Sequence, residues 1–449
     1  MSIAAVHKVQ ISPLNEQSSY SFKNGNPIIN FQIGRQQAML DTTTLRLHFK
    51  LAVKGPTGAT PVNLGKTQDD GSAIASTVET QCRINERVGV HSIFERVVVS
   101  ESSRNQTMEN VRDIGRILAA TRPASFTALE YNQNLNAANL CGTRENITAG
   151  LLNHDQEVSI KLSEVLGCMT MGALPLNLVP LNLSFHLAPD SQVLIVDAAR
   201  AAANQSMTYT LSNVFLTADL HVPDGQMAAQ MAKEDKISFS YDSYHNLYNI
   251  QNSTNQTTSS QWGLSRVKSV FATVMQPTHQ NNFDFDSFAT PEMQVKQTTG
   301  GKNDVDAQID RVSYLKASLN FPVLNEMEVL TQSKAKLPLT PVLKHGLSSV
   351  GVHNKPYAAM HTICDLMTQC KISVAQTPLQ ETQDKKLRIF GVAMDEFGNY
   401  GLDYRDVAQG LRMNLDLAAD TESTAMGIHS TAIATNTLVI DKGAISVLS

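Results

Sequence analysis

The chain is poor in cysteine, in aromatic residues and in runs of like charge, and each shortage excludes a class of protein. Five cysteines in 449 residues, an odd number, do not make a disulfide framework, and they favour a reducing compartment. Aromatic residues make up 6% and are scattered, which disfavours a glycan-binding site. The net charge of −5, without any run of five Lys or Arg residues, gives no general attraction to nucleic acid.

Segments that enter or cross membranes are also missing. No apolar run approaches the roughly 18 residues that a spanning helix needs, and residues 1–10 lack the basic and apolar regions of a secretory signal. With 42% hydrophobic and 17% charged residues, the composition is that of a folded globular protein. At this length, we expect two domains of about 200 residues each.

The residues that are present alternate between apolar and polar, which predicts β-strands. Residues 45–53 and 181–187 alternate most regularly, whereas the apolar run at 93–99 indicates a strand covered on both faces. Thr107 predicts the cap of a helix that carries Met108, Val111, Ile114 and Leu118 at helical spacing. Further strands are predicted at residues 158–162, 237–241, 267–275, 312–321, 387–394, 411–417 and 438–447.

A joint between two β domains is predicted at residues 207–234. The strand there changes phase near Asn213, which indicates a bulge, and Pro223 with the next two residues ends it. A short helix follows before alternation restarts. The chain therefore divides into an N-terminal arm (1–25), a first domain (26–224), a linker helix (225–235) and a second domain (236–449), with polar loops at 54–81, 251–261 and 280–306 that we expect to project outward or wrap neighbours.

Two short patterns recur in the same order on the two sides of this joint. Residues 91–94 (HSIF) match 268–271 (KSVF), and residues 181–188 match 411–418. This indicates two copies of one fold with loops of different length, although chance similarity between alternating strands is the alternative reading.

The order of these segments resembles the double jelly-roll major capsid proteins of double-stranded DNA viruses, most closely those of polinton-like viruses and virophages. The similarity lies in the strands at 45–53 and 92–100, the helix at 108–120, the stretch IKLSEVLG at 160–167, the Pro-Leu turn at 174–176, the leucine strand at 181–187 and the closing strand at 436–448.

The resemblance implies an all-β protein of two consecutive eight-stranded antiparallel jelly rolls. It implies a structural capsid protein, not an enzyme, whose trimers form pseudo-hexameric capsomers that tile an icosahedral virion. The implied partners are two further copies, neighbouring capsomers, penton and minor capsid proteins and an inner membrane. The implied location is the virion, assembled inside the host cell, with no specific nucleic-acid binding.

Three alternatives stay open at this stage. The first is a two-domain β-sandwich binding protein, such as a lectin or viral spike, and the second is a minor capsid or penton protein. The third is an enzyme on a double barrel of the cupin kind, which needs clustered histidine ligands that the sequence does not offer.

No catalytic, cofactor or metal residue is assigned from the sequence. Residues 64–67 (LGKT) end like a phosphate-binding loop, but Thr60 stands where the first glycine belongs. Two other sets fit no common metal pattern and are interpreted as ordinary core or loop residues. These sets are His353, His361, Cys364 and Cys370, and Asp284, Asp286, Asp304 and Asp306.

Two further features, the Asn-x-Ser/Thr sequences and the single tryptophan, are also interpreted without assigning them a functional role. Asn-x-Ser/Thr sequences are frequent in so polar a chain, and we expect no secretory-type glycans on them. They occur at Asn105, Asn146, Asn182, Asn204, Asn252 and Asn255. The single tryptophan, Trp262, is predicted to be a buried wedge under a loop, with a contact anchor as the alternative.

Overall fold

A computed structural model of the chain is built mainly of β-strands. It describes residues 3–54, 82–84, 88–125, 156–196, 208–225, 236–251, 257–275, 316–319, 337–338, 389–393, 411–416, 426–441 and 444–448. No helix in these ranges is both long and apolar enough to cross a bilayer. Contacts divide the chain into two compact units. The first comprises Met1–Ala119, Leu129–Ser243 and Asn436–Leu448, and the second comprises Ala120–Ala128, Tyr244–Thr435 and Ser449.

The first half of the chain contains twelve described strands and two short helices. The strands are β1 (Ile3–Ile11), β2 (Ser19–Tyr20), β3 (Ile28–Ile33), β4 (Met39–Lys54), β5 (Cys82–Ile84), β6 (Phe94–Glu101), β7 (Gln106–Arg112), β8 (Gln156–Lys161), β9 (Ala173–Pro175), β10 (Leu181–Leu187), β11 (Leu194–Val196) and β12 (Thr208–Pro223). The helices are α1 (Ile114–Ser125) and α2 (Asp190–Val193), with 3₁₀ turns at Gly89–Ile93, Leu162–Glu164 and Gly167–Thr170.

Eight of these strands form two antiparallel sheets with jelly-roll topology. One sheet has the order β1-β12-β4-β8 and the other β3-β10-β6-β7. Numbered one to eight along the chain, these strands take the order 1-8-3-6 in one sheet and 2-7-4-5 in the other. The apolar faces of the sheets share one core, in which the rings of Phe49 and Phe94 meet edge to face at 6.1 Å.

The second half repeats this order. Its strands are β13 (Lys236–Gln251), β14 (Thr257–Trp262), β15 (Val267–Met275), β16 (Lys316–Leu319), β17 (Leu337–Pro338), β18 (Ile389–Ala393), β19 (Leu411–Asp416), β20 (Met426–Asp441) and β21 (Ala444–Leu448). The sheets run β13-β20-β15-β18 and β14-β19-β16-β17, which is again 1-8-3-6 and 2-7-4-5. The predicted fold of two eight-stranded antiparallel jelly rolls is therefore confirmed.

One of the two sequence echoes has a structural basis. Residues 181–187 and 411–416 are β10 and β19, the seventh strand of each jelly roll. Each pairs with the second strand of its jelly roll on one side and with the fourth strand on the other. The other echo does not correspond, because Phe94 begins the fourth-strand position, β6, whereas residues 268–271 lie in the third, β15.

The predicted bulge in the strand before the joint is confirmed. The register of β12 on β4 shifts between Ser212 and Phe215, and Asn213 takes a left-handed backbone conformation with φ of 49°. After the bulge, Leu216 and Ala218 are buried, as the alternation indicated. An extra residue lets β12 keep its apolar side chains on the core side across its full length.

Three local predictions need correction. Thr107 does not cap a helix, because residues 106–112 form β7, which pairs with β6, and α1 starts only at Ile114. The polar stretch 251–261 is not all loop, since β14 begins at Thr257 and pairs with β19. The apolar run at 93–99 is not covered on both faces, because Glu95 within β6 is exposed.

The N-terminal residues differ from the predicted arm. The sequence predicts an arm over residues 1–25, but Ile3–Ile11 form β1, the first strand of the jelly roll, paired with β12. Backbone hydrogen bonds hold this strand although its side chains give no alternating burial. Residues 226–235 of the linker helix lie outside the described residues, and the boundaries at 224 and 236 stay predictions.

Candidate functional site

The first compact unit contains a buried polar cluster that brings β7, the Gly167–Thr170 turn and the start of β13 together. At its centre, the Glu109 carboxylate accepts hydrogen bonds from the backbone N–H of Gly167 at 3.1 Å and of Cys168 at 2.8 Å. The Cys168 thiol and the Ser243 hydroxyl also bond to it. Both Glu109 and Cys168 are buried, so these bonds take the place of water around the carboxylate.

Burial controls the ionisation of this cluster. Loss of water raises the pKa of the Glu109 carboxyl, and its four hydrogen bonds lower that pKa in part. Burial, together with the nearby Glu109, raises the pKa of the Cys168 thiol well above its ordinary value. A nucleophilic cysteine must be a thiolate, so the position of Cys168 fits a structural role better than a catalytic one.

Three consecutive residues of β13 join this cluster. The Tyr241 hydroxyl donates a hydrogen bond to the Met108 carbonyl at 2.6 Å, and Ser243 bonds to Glu109. Between them, the carbonyl of Asp242 packs directly on Gly167, where a Cβ atom would lie 1.5 Å from the carbonyl oxygen. The cluster thus fastens the start of β13 to β7 and to the turn that follows β8.

A second set of buried polar side chains lies in the second unit. The Ser260 hydroxyl on β14 donates to the Ser430 hydroxyl on β20 at 2.9 Å, and Asn249 donates to Ser260 at 3.1 Å. Next to them, the rings of Tyr248 and His429 stack at 4.3 Å. The Ser260–Ser430 bond connects the two sheets of this jelly roll and stabilises their facing surfaces.

The part of the chain that the structure describes holds no group of three metal-ligating side chains. The phosphate-loop-like residues 64–67, both sets of candidate metal ligands, and four of the six Asn-x-Ser/Thr sites lie outside the described residues. Of the other two sites, Asn105 is exposed in the β6–β7 turn, whereas Asn182 lies within β10 with a buried side-chain oxygen. Trp262, at the end of β14, is 6% exposed, which confirms the predicted buried wedge.

Sequence reasoning did not identify the Glu109 cluster. One signal was present, because the stretch IKLSEVLG ends on Gly167, the residue at which only a hydrogen atom fits. Glu109 itself gives no local signal, since an acidic residue within a strand of mixed polarity is ordinarily exposed.

Comparisons with known proteins rest on structure alone. No protein-family model matches the sequence, and no curated protein matches it significantly. VP54 of PBCV-1, in a crystal structure fitted into a reconstruction of the virophage Sputnik, matches with a TM-score of 0.52 at 12% identity, over 99% of this chain and 96% of that one. The quasi-atomic model of the PBCV-1 capsid matches with a TM-score of 0.55 at 12% identity, over the same shares.

These two matches span nearly the whole of both chains, and at this identity they report on the fold. The choice of polinton-like viruses and virophages as the nearest branch stays a prediction. The resemblance seen in the sequence is confirmed in the fold, and this chain has the double jelly-roll architecture of the PBCV-1 capsid protein.

Proposed function

We propose that the chain is the major capsid protein of a double-stranded DNA virus and that three copies form one capsomer of the virion shell. The observation that carries this proposal is the repetition of one strand order, 1-8-3-6 with 2-7-4-5, in both halves of the chain. Three chains with two such sandwiches each supply six similar walls. A trimer of this kind has a nearly hexagonal outline, which suits it to tile a flat facet.

The connections between strands support this role. In a jelly roll, the first, third, fifth and seventh connections all lie at the same end of the sandwich, because successive strands run in opposite directions. In the first jelly roll, three of these connections contain the long segments 55–81, 126–155 and 197–207. The two longer segments are rich in polar residues, which suits contact with solvent or with neighbouring chains.

Assembly of a shell needs many weak contacts. Each capsomer edge binds weakly and reversibly, and the closed shell gains its stability from the number of such contacts. The partners that we propose are two further copies in the trimer, neighbouring capsomers, penton and minor capsid proteins and an inner membrane. The net charge of −5 argues against a role in binding the viral genome.

We further propose that the protein has no enzymatic activity. One of the matched structures is a model of the PBCV-1 capsid, and the buried Glu109 cluster holds strands together instead of facing a substrate. Stoichiometric iron, manganese or zinc in the purified protein would contradict this part of the proposal and favour the cupin-type alternative.

Light scattering after size exclusion, followed by electron microscopy of the same peak, tests the proposal. We expect a trimer of 49.0 kDa chains with a triangular or hexagonal outline that assembles into sheets or shells. A monomer that binds glycans on an array would support the lectin alternative instead. Copy number in purified virions separates a major capsid protein, present in hundreds of copies or more, from a penton or minor protein.

A further inference from the structure

Residues late in the sequence belong to the first compact unit. Contacts assign residues 436–448 to that unit, together with residues 236–243, whereas residues 244–435 belong to the second. The segment 436–448 contains the second part of β20 and all of β21, which pair with each other antiparallel over residues 437–441 and 444–448. We call residues 436–448 the β20–β21 hairpin. The first unit is therefore assembled from segments that lie far apart in the sequence.

The β20–β21 hairpin is buried in the manner of a central strand. Five consecutive residues of β20, Asn436 to Ile440, are each at most 9% exposed. Because side chains alternate between the two faces of a strand, such an unbroken run is covered on both faces. On β21, Ile445 is 7% exposed, and this strand lies against β7. The hairpin is thus part of the packed interior of the first unit.

Hydrogen bonds also connect the hairpin to the Glu109 cluster. The hydroxyls of Ser240 on β13 and Thr437 on β20 bond to each other at 3.3 Å. The Asn436 side chain bonds to the Tyr241 hydroxyl, and that hydroxyl donates to the Met108 carbonyl on β7. These groups are buried, so water does not replace the bonds while the hairpin is in place. Release of the hairpin would therefore loosen Tyr241 and uncover the cluster.

The order of synthesis delays completion of the first unit. Domains generally fold as units, with the amino-terminal one first. The first unit departs from this rule, because residues 244–435 must be made before the hairpin that completes it. A chain that is stopped or cut before residue 436 lacks these strands, although it contains every strand from β1 to β12.

We propose that the β20–β21 hairpin is the closing element of the first unit, and that a chain joins a capsomer only when this hairpin is in place. Without it, residues that normally lie on both sides of a buried strand lose their cover, and β7 loses a packing partner. A shell held by many weak contacts needs uniform subunits, so a device that excludes incomplete chains protects it. The second part of this inference rests on the proposed capsomer.

A charge placed inside the hairpin tests the first part. We expect Ile445→Asp to release the hairpin, because an unpaired carboxylate is costly to bury. Ser446→Asp is the matched control, since it adds the same charge at the next, exposed position of β21. The readout is alkylation of the Cys168 thiol by iodoacetamide, located by mass spectrometry, because Cys168 is 0% exposed in the closed unit.

The expected result is a large difference between these two variants. Ile445→Asp should label Cys168 about a hundredfold faster than the wild type, and Ser446→Asp should stay within about threefold of it. Labelling of Ile445→Asp at the wild-type rate would overturn the proposal, because the first unit would then stay closed without a docked hairpin.

Hydrogen exchange of the wild-type protein gives a measurement that needs no variant. Amides of residues 437–441 should exchange within about tenfold of the rate of the β10 amides, because a closing element opens only together with the unit that it closes. Exchange more than about tenfold faster than that of β10 would overturn the proposal, since it would mean that the hairpin detaches while the first unit stays folded.

Light scattering of the same proteins tests the second part and separates it from the proposed function. We expect the wild type and Ser446→Asp to form trimers and Ile445→Asp to stay monomeric. If Ile445→Asp labels fast and still forms trimers, the requirement for the hairpin is wrong while the capsomer stands. If the wild type stays monomeric at all concentrations and forms no lattice, the proposed capsomer fails, and Cys168 labelling alone decides whether the hairpin closes the first unit.

Discussion

Gly167 and Asp242 touch through their backbones, and a Cβ atom at Gly167 would lie 1.5 Å from the Asp242 carbonyl oxygen. No real Cβ makes such a contact, so the backbone of β13 approaches the turn after β8 only because residue 167 is glycine. Around this point, hydrogen bonds from Tyr241 and to Glu109 fix the same strand.

Gly167→Ala should therefore destabilise the protein strongly. The methyl group must push the Asp242 carbonyl away, and we expect a loss on the order of 3 kcal/mol in the free energy of unfolding. Gly34→Ala is the matched control, because a Cβ at Gly34 meets nothing within 4 Å. Urea denaturation of both variants measures the effect, and equal midpoints for the two would contradict the close approach.

Glu109→Gln should change how stability depends on pH. Burial raises the pKa of Glu109 above its ordinary value of 4.5, so the folded state keeps this proton to a higher pH than the unfolded state does. The contribution of this carboxyl is therefore fully present below pH 4.5 and is lost as the pH rises through the raised folded-state pKa. Glutamine does not titrate, so it lacks this dependence.

The measurement for Glu109 is the difference in melting temperature between wild type and Glu109→Gln over a pH series. The advantage of the wild type should shrink as the pH rises through this window. Glu157→Gln is the comparison for loss of a surface carboxyl, because the Glu157 side chain is 80% exposed. A flat difference for Glu109→Gln would show that the buried carboxyl does not titrate in this range.

Tyr241→Phe should cost about 1–2 kcal/mol in the free energy of unfolding, because the buried Met108 carbonyl loses its hydroxyl donor. The ring remains, so packing is preserved and the loss reports on the hydrogen bond. Tyr248→Phe serves as the control at a tyrosine that is 38% exposed, where we expect a change below about 0.5 kcal/mol. A neutral Tyr241→Phe would mean that water or another donor replaces the hydroxyl.

Asn213 tests the bulge in β12. Its φ of 49° lies in the left-handed region, which β-branched residues avoid, so Asn213→Val should destabilise by about 1–2 kcal/mol. Asn213→Gly should be neutral or slightly stabilising, because glycine adopts this conformation freely. Since Asn213 is exposed, neither change removes core packing. The measurement is the melting temperature of the Asn213→Val and Asn213→Gly variants. A valine variant as stable as the wild type would show that the left-handed residue of the bulge is not Asn213.

Most strands of this protein could be predicted from local alternation. The strand 181–187 matches β10 at both ends, and the bulge near Asn213 was visible as a change of phase. Two failures share one cause. Residues 106–112 carry apolar residues at spacings that also fit a helix. They form a strand because they pair with β6. The Thr- and Ser-rich β14 shows no alternation of apolar and polar residues in the sequence. Its pairing with β19 is what makes it a strand.

The sequence by itself determined the strand-rich fold class, its duplication and the places where strands stop or bulge, because side-chain direction alternates with every residue and turn residues act locally. Only the tertiary structure decided which strands pair and which glutamate is buried. Those properties arise from contacts between residues far apart in the chain. Backbone hydrogen bonds make many of these contacts, and they are available to every residue except proline.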